Sequence, residues 1–181
     1  MIPRKLNSLD RDNLLAHLTS LKGEDRRLRF GGMVSDDYIK EYVFNSFTED
    51  NKWFGVESET KIVAACHVSI LDGQAELGCS VDKEFRGEGV AQKMFDRAVT
   101  WVRTKGIHEV YMHCLSENGA MKHIAKKNEM LVVSESGETD ANMIVATPNP
   151  FVHMVDAYAD RLALYDMVFK QNMKVLRSMY A

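Results

Sequence analysis

One hexapeptide, Arg86-Gly87-Glu88-Gly89-Val90-Ala91, constrains what this chain can fold into more than any other segment. Ahead of it, Ala75, Leu77, Cys79 and Val81 alternate with Glu76, Gly78 and Ser80, the two-residue period of a strand. Behind it, Val90, Met94, Ala98 and Val102, with Trp101 beside them, recur at helical spacing over residues 90–105. A strand therefore runs through a glycine turn straight into a helix. The amides of a first helical turn have no internal partner and carry partial positive charge. Glycines let an anion come close to them. The segment reads either as a main-chain cradle for a phosphate or pyrophosphate, or as a tight turn that simply needed glycine.

Two familiar phosphate loops do not fit. A dinucleotide fingerprint needs a third small residue where Gln92 stands, and the Walker G-K-[ST] is absent. The pattern [Q/R]-x-x-G-x-[G/A] does fit, with Arg86, Gly89 and Ala91 in its fixed places. That is the acetyl-CoA signature of the GNAT superfamily of N-acetyltransferases, which the chain resembles, in a bacterial-type form with a C-terminal helical extension.

The order of elements agrees with the resemblance. Residues 11–21 read as a helix with Leu14, Leu15, Leu18 and Leu21 on one face and Asp10 as its cap. Ser35-Asp36 caps a second helix over residues 37–47. Strands follow at 53–57, 61–71 and 74–81, with Asp72-Gly73 as a hairpin signal between the last two. After the glycine loop and its helix, which Lys105-Gly106 ends, come a strand at 107–115, a helix at 116–128 and a strand pair at 131–135 and 140–147 around Gly137. The fold implied is α+β: a mixed, mostly antiparallel, splayed sheet flanked by helices. Pro148-Asn149-Pro150 marks the boundary between an acetyltransferase domain, 1–147, and an extension, 148–181.

Composition bounds the partners. A net charge of −3 and a pI near 6.1 argue against a general nucleic-acid or membrane-surface binder. The basic clusters Arg26-Arg27-Leu28-Arg29 and Lys126-Lys127 read as solvated faces. Residues 1–9 hold no apolar signal region, and no run approaches the roughly 20 apolar residues that span a membrane. Cys66, Cys79 and Cys114 all fall in strand-like runs, which suggests reduced thiols and a cytoplasmic location.

The resemblance assigns roles residue by residue. The amides of Arg86, Gly87, Glu88, Gly89, Val90 and Ala91 would hold the pyrophosphate of acetyl-CoA, the cosubstrate. A bulge in the strand before the loop would splay it from the strand at 107–115, opening a cleft where the backbone of Cys79 and Val81 meets pantetheine. Glu76 is the candidate base, on the face opposite Ala75, Leu77, Cys79 and Val81. The family's second motif, N-x-x-A-x-x-x-Y-x-x-x-G-F, reads here Asn118, Met121, Ala125, Glu129 and Met130. Asn118 matches and joins the cofactor set. Ala125 replaces the tyrosine that would protonate the CoA thiolate, leaving Tyr111, Ser116 and Tyr38 as substitutes. Acceptor sites in the family form from segments corresponding to 26–47 and 131–147, whose mixed charge does not choose among amines.

Other reactive neighbours carry less. His113-Cys114 and Cys66-His67 are adjacent on strands, so each pair points to opposite faces. His67 reads as a plain strand histidine or as part of the acceptor side of the cleft. No metal site can be read from the histidines.

The extension stands apart from the shared fold. From Asn149 as cap and Pro150 as first helical residue, Phe151, Val155, Tyr158, Leu162, Tyr165, Phe169, Asn172, Leu176 and Met179 alternate spacings of four and three. Such a helix runs roughly 45 Å, longer than a small domain is wide. Part of that seam could pack on its own core. Pairing with a second copy is the expected use, with Asn172 setting register. The sequence thus predicts a homo-oligomeric enzyme moving acetyl from acetyl-CoA to an amine. The alternative is a CoA-binding or catalytically weak protein of this fold that acts through interaction.

Overall fold

The computed structural model describes residues 1–179; the end of the expected extension, Tyr180 and Ala181, lies outside the described residues. Seven strands make one sheet: β1 (Arg4–Lys5), β2 (Asn51–Ser58), β3 (Lys61–Leu71), β4 (Gln74–Val81), β5 (Glu109–Leu115), β6 (Leu131–Glu135) and β7 (Glu138–Ile144). Their order across the sheet is β1-β2-β3-β4-β5-β7-β6. All neighbours are antiparallel except β4 and β5. Asp72 and Gly73, both at positive φ, make the two-residue turn that pairs Leu71 with Gln74.

Alternation along the strands feeds two cores. Phe54, Cys66, Val68, Ala75, Leu77, Val110 and Met112 point to one face, under α4 (Val90–Thr104) and α5 (Gly119–Lys127). Val90, Met94, Ala98, Trp101 and Val102 of α4 are buried there, the stripe its periodicity marked out. Val90, Met94 and Val102 each contribute roughly 1.5–3 kcal/mol on burial. Trp53 and Ala65 point to the other face, against Leu14, Leu18, Ile39 and Val43 of α1 (Arg11–Ser20) and α3 (Asp36–Asn45).

Three local expectations change. Asp10 does not cap α1. Its carboxylate accepts from the Asn7 amide at 2.8 Å and from Arg4, closing a short turn over Ser8–Asp10 before the helix starts. A further helix, α2 (Glu24–Phe30), lies inside the basic run that read as a solvated face. Arg26 is buried there and donates to the carbonyls of Leu21 (2.9 Å), Thr19 (2.8 Å) and Val34 (3.2 Å), tying down the chain on both sides of α2. Five of the seven residues of α2 are Glu, Asp or Arg, and seven residues are too few for a helical period to register. Lys126 and Lys127 are exposed as expected.

The tail forms one helix, α6 (Pro150–Met179), capped by Asn149 Oδ1 on the Val152 amide at 3.0 Å. It docks along α4 and β1 through Val152, Asp156, Asp160 and Ala163, where Asp156 and Asp160 receive Lys5 and Arg97. Among the described residues, no helix is long and apolar enough to cross a membrane.

Candidate active site

The site begins where β4 and β5 part. β4 pairs with β3 along its whole length, and β5 with β7 along its own, but β4 and β5 share only the rungs from Gln74↔Glu109 to Glu76↔Tyr111. Two antiparallel ribbons, each following its own twist, meet briefly and diverge. The splay therefore needs no bulge in β4. Its register against β3 is unbroken from Leu71↔Gln74 to Ala64↔Val81, and the register shift of that ribbon lies at Val56/Glu57 of β2 instead.

Register also decides which backbone groups face the opening. The Asp82 amide donates to Val63 at 2.9 Å, which makes Ala65/Ser80 and His67/Gly78 the hydrogen-bonded pairs of β3 and β4. Cys79 and Val81 alternate with these, so their N–H and C=O turn the other way, into the space that β5 leaves. The Val81 carbonyl already accepts from Arg86 Nε at 3.0 Å on that side.

Beyond β4 the chain reaches Gly87 (φ 82°) and Gly89 (φ 72°), and α4 starts at Val90. The amides of residues 87–92 donate to no protein acceptor among the described residues. A Cβ at Gly87 or Gly89 would meet no atom within 4 Å, so glycine supplies a left-handed backbone and uncovered amides rather than relief of packing. A cavity of about 450 Å³ opens in front of them. Cys79, Val81, Arg86, Gly87, Gly89, Val90, Ala91 and Asn118 line it; Glu88 does not. Asn118 also has structural work: Oδ1 accepts from the Met121 amide at 3.1 Å to cap α5, and Nδ2 donates to the Leu28 carbonyl at 3.3 Å, linking α2 to α5.

Glu76 lies outside that wall, exposed, at the last rung that β4 and β5 share. Tyr111, its partner across the rung, donates its hydroxyl to Glu76 Oε2 at 3.1 Å. Burial first, and then the carboxylate of Glu76, push the Tyr111 phenol up to about 12, so it keeps its proton at neutral pH. Ser116 instead donates to the Glu138 carbonyl, and Tyr38 is an exposed residue of α3 stacked on Tyr42. Ala125 is buried in the core, and the cavity wall does not include it. Cys66 and Cys114 point into the core, away from their histidine neighbours.

One group that sequence reasoning passed over is Arg29 of α2. Its guanidinium lies 5.1, 5.8 and 5.9 Å from the ring centres of Phe30, Tyr42 and Trp53. Nη2 donates to the Tyr42 hydroxyl at 3.2 Å, and that hydroxyl is 2.7 Å from His67 Nδ1. With Arg29 donating to Tyr42, the Tyr42 proton goes to Nδ1, which assigns the neutral His67 tautomer protonated at Nε2. Burial, and then the charge of Arg29, push His67 down to about 3. Arg29 Nε and His67 Nε2 are buried with no partner. Cation–π contacts offset about 2 kcal/mol of a desolvated charge but accept no hydrogen bonds. Arg4, Arg26 and Arg97, by contrast, each meet a carboxylate. The available signal was position: Arg29 falls in the 26–47 segment expected to face the acceptor.

Comparison with known proteins gives this architecture its class. The model of the acetyltransferase (GNAT) family matches residues 22–129, and the chain belongs to that family, whose members move an acetyl group from acetyl-CoA to an amine. No curated protein matches the sequence. Among solved structures, the GNAT domain of S. lividans PAT is similar at a TM-score of 0.68 and 17% identity, covering 79% of this chain and 89% of that one. A ribosomal-protein-alanine N-acetyltransferase from Brucella melitensis follows at 0.66 and 14%, covering 80% and 100%. The PaiA N-acetyltransferase of Thermoplasma acidophilum, solved in complex with coenzyme A, is similar at 0.60 and 16%, covering 79% and 98%. At these identities the likeness is one of fold.

Proposed function

We propose that the chain binds acetyl-CoA with its pyrophosphate on the amides of residues 87–92 and its pantetheine against Cys79 and Val81, and passes the acetyl group to a primary amine beside Glu76. The observation that carries this is the run of unengaged amides at the start of α4, opening onto the same cavity as the outward backbone of β4. Glu76 takes a proton from the ammonium, and Tyr111, the hydroxyl bonded to it, is the proton donor in place of the absent tyrosine at 125. The thioester brings its own good leaving group, so a modest acid suffices. The three free thiols fit a reducing, cytoplasmic setting.

The decisive experiment is calorimetry with CoA on the wild type and on Gly89→Asp. The variant puts bulk and negative charge where the phosphate must approach. CoA should bind the wild type and raise its Tm by mass action, and the variant should lose both effects. Equal affinities would remove the assignment.

The exposed side of α6 favours a second copy of the chain as partner. Phe151, Val155, Tyr158, Leu162, Tyr165, Phe169, Leu176 and Met179 are 37–73% exposed along one seam. Eight such side chains, about half open, offer on the order of 700 Å², near the ~800 Å² per partner of a stable interface. That exceeds the ~300–600 Å² patch usual on a monomer.

A further inference from the structure

We propose that Arg29 receives a carboxylate of the substrate, and that the acceptor is an amino acid whose amine lies beside Glu76 while its carboxylate sits on the Arg29 guanidinium. This rests on the acetyltransferase reading and narrows its acceptor. Arg29 lines the same cavity as the cofactor loop. Its Nη1 stands over Gly78 of β4, where an added Cβ would come within 3.1 Å. The strand thus leaves room for the guanidinium at one position. The nearest acid on its own helix, Asp25, is taken by Arg86 at 3.0 Å and Lys83 at 3.6 Å. No carboxylate among the described residues pairs with Arg29, although it lies in an aromatic cage with neutral Tyr42 and His67 as polar neighbours.

The spacing selects the ligand. Gly78 and Glu76 are two residues apart on one face of β4, roughly 6.8 Å. The Arg29 guanidinium over Gly78 and the Glu76 carboxylate thus serve the same side of one strand, within reach of the two ends of a small amino acid. Gly78 lies three residues, roughly 10 Å, before the end of β4, so a phosphate seated on the loop does not satisfy Arg29. A guanidinium fork holds a carboxylate through two parallel bonds, which an amide cannot reproduce. In the reaction the ammonium gives one proton to Glu76. The amine then attacks the thioester carbonyl, the C–N bond forms and the C–S bond breaks. Tyr111 gives its proton to the departing sulfur and takes the second proton of the nitrogen in exchange, so CoA leaves as the thiol and the phenol is restored.

The test compares amino acids with their own amides as acceptors, so that each pair shares the same amine class. Wild type should prefer the acids on the order of 10²-fold or more in kcat/KM. Arg29→Leu, and separately Gly78→Ala, which pushes the guanidinium off the strand, should bring the ratio close to one. A ratio near one in wild type, or one retained in Arg29→Leu, overturns the proposal. A parallel arm compares succinyl-CoA with acetyl-CoA. A succinyl preference that Arg29→Leu abolishes would keep the carboxylate site but place its source on the donor. Should wild type fail to bind CoA in calorimetry, the acetyltransferase reading falls on its own. Arg29 would still be judged by whether the amino acids, and not the amides, raise the Tm of wild type but not of Arg29→Leu.

Discussion

Glu76 stands where two ribbons of the sheet separate, with the Tyr111 hydroxyl directed at it from the neighbouring strand. A carboxylate and a protonated phenol thus share one hydrogen bond at the mouth of the cleft. Glu76→Gln should lower turnover roughly 10²-fold or more near neutral pH while CoA affinity, read by calorimetry, stays the same. Full activity in that variant at every pH would show that the amine loses its proton elsewhere. His67 makes a second prediction at this scale. It titrates near 6.5 in the unfolded chain but at about 3 in the fold. Between those values the unfolded state binds the extra proton, so the stability is complete above pH 6.5 and is lost as pH falls through the window. Its slope approaches about 1.4 kcal/mol per pH unit. His67→Gln offers Tyr42 an acceptor but does not titrate. On going from pH 7 to 4.5, urea unfolding should cost wild type roughly 2–3 kcal/mol more than this variant. Matching losses would mean that His67 is protonated in the fold.

At the scale of elements, α5 shows how one motif serves two ends. Asn118 caps its start and reaches the Leu28 carbonyl, so the same residue closes the helix and holds α2 over the cleft. At its far end Glu129 sits at φ 56°, the left-handed region, where the resembled motif has glycine. Met130 then donates back to the Ala125 carbonyl at 3.0 Å, the closing bond of a helix C-terminus. A side chain there costs roughly 1–2 kcal/mol, which glycine avoids, less the entropy glycine adds to the unfolded chain. Asn118→Ala should therefore lower stability by about 1–2 kcal/mol, while Glu129→Gly should hold or raise it. Chemical denaturation of the two variants checks both signs, and a destabilised Glu129→Gly would show that its side chain has a role the backbone does not explain.

For the whole molecule, α6 is the element on which the expectation of a dimer rests. Its inner stripe is charged and engaged: Asp156 and Asp160 with Lys5 and Arg97, Lys170 with the Glu57 carbonyl, Lys174 with Thr60 and Arg177 with Glu59. Its outer stripe is apolar and open. The helix is thus bound to its own domain by these polar contacts together with buried Val152 and Ala163, while the apolar seam beside them stays open. Light scattering at tens of micromolar should find a dimer. Tyr165→Asp combined with Phe169→Asp should give a monomer with an unchanged circular dichroism spectrum. A monomeric wild type would defeat the pairing.

Much of this was legible along the chain because it is local. A two-residue period marks β4, a helical period marks α4, a glycine turn joins them, and Asn149-Pro150 starts α6; each depends on residues within a few positions. Helix α2 escaped because seven mostly charged residues carry no period, and its arginines read as solvated although Arg26 is buried. The bulge implied for β4 proved unnecessary because splay depends on how far two ribbons share rungs, a property of strand order. The meeting of Glu76 with Tyr111, 35 residues apart, follows from the parallel register. The placing of Arg29 over Gly78, without an ion-pair partner among the described residues, follows from how α2 packs on β4. Sequence by itself determined most of the elements and the glycine loop between β4 and α4, since backbone propensity and periodicity are short-ranged. Which charges are left unpaired around the cleft was decided only by tertiary packing, because a charge is compensated by whatever lies across space from it.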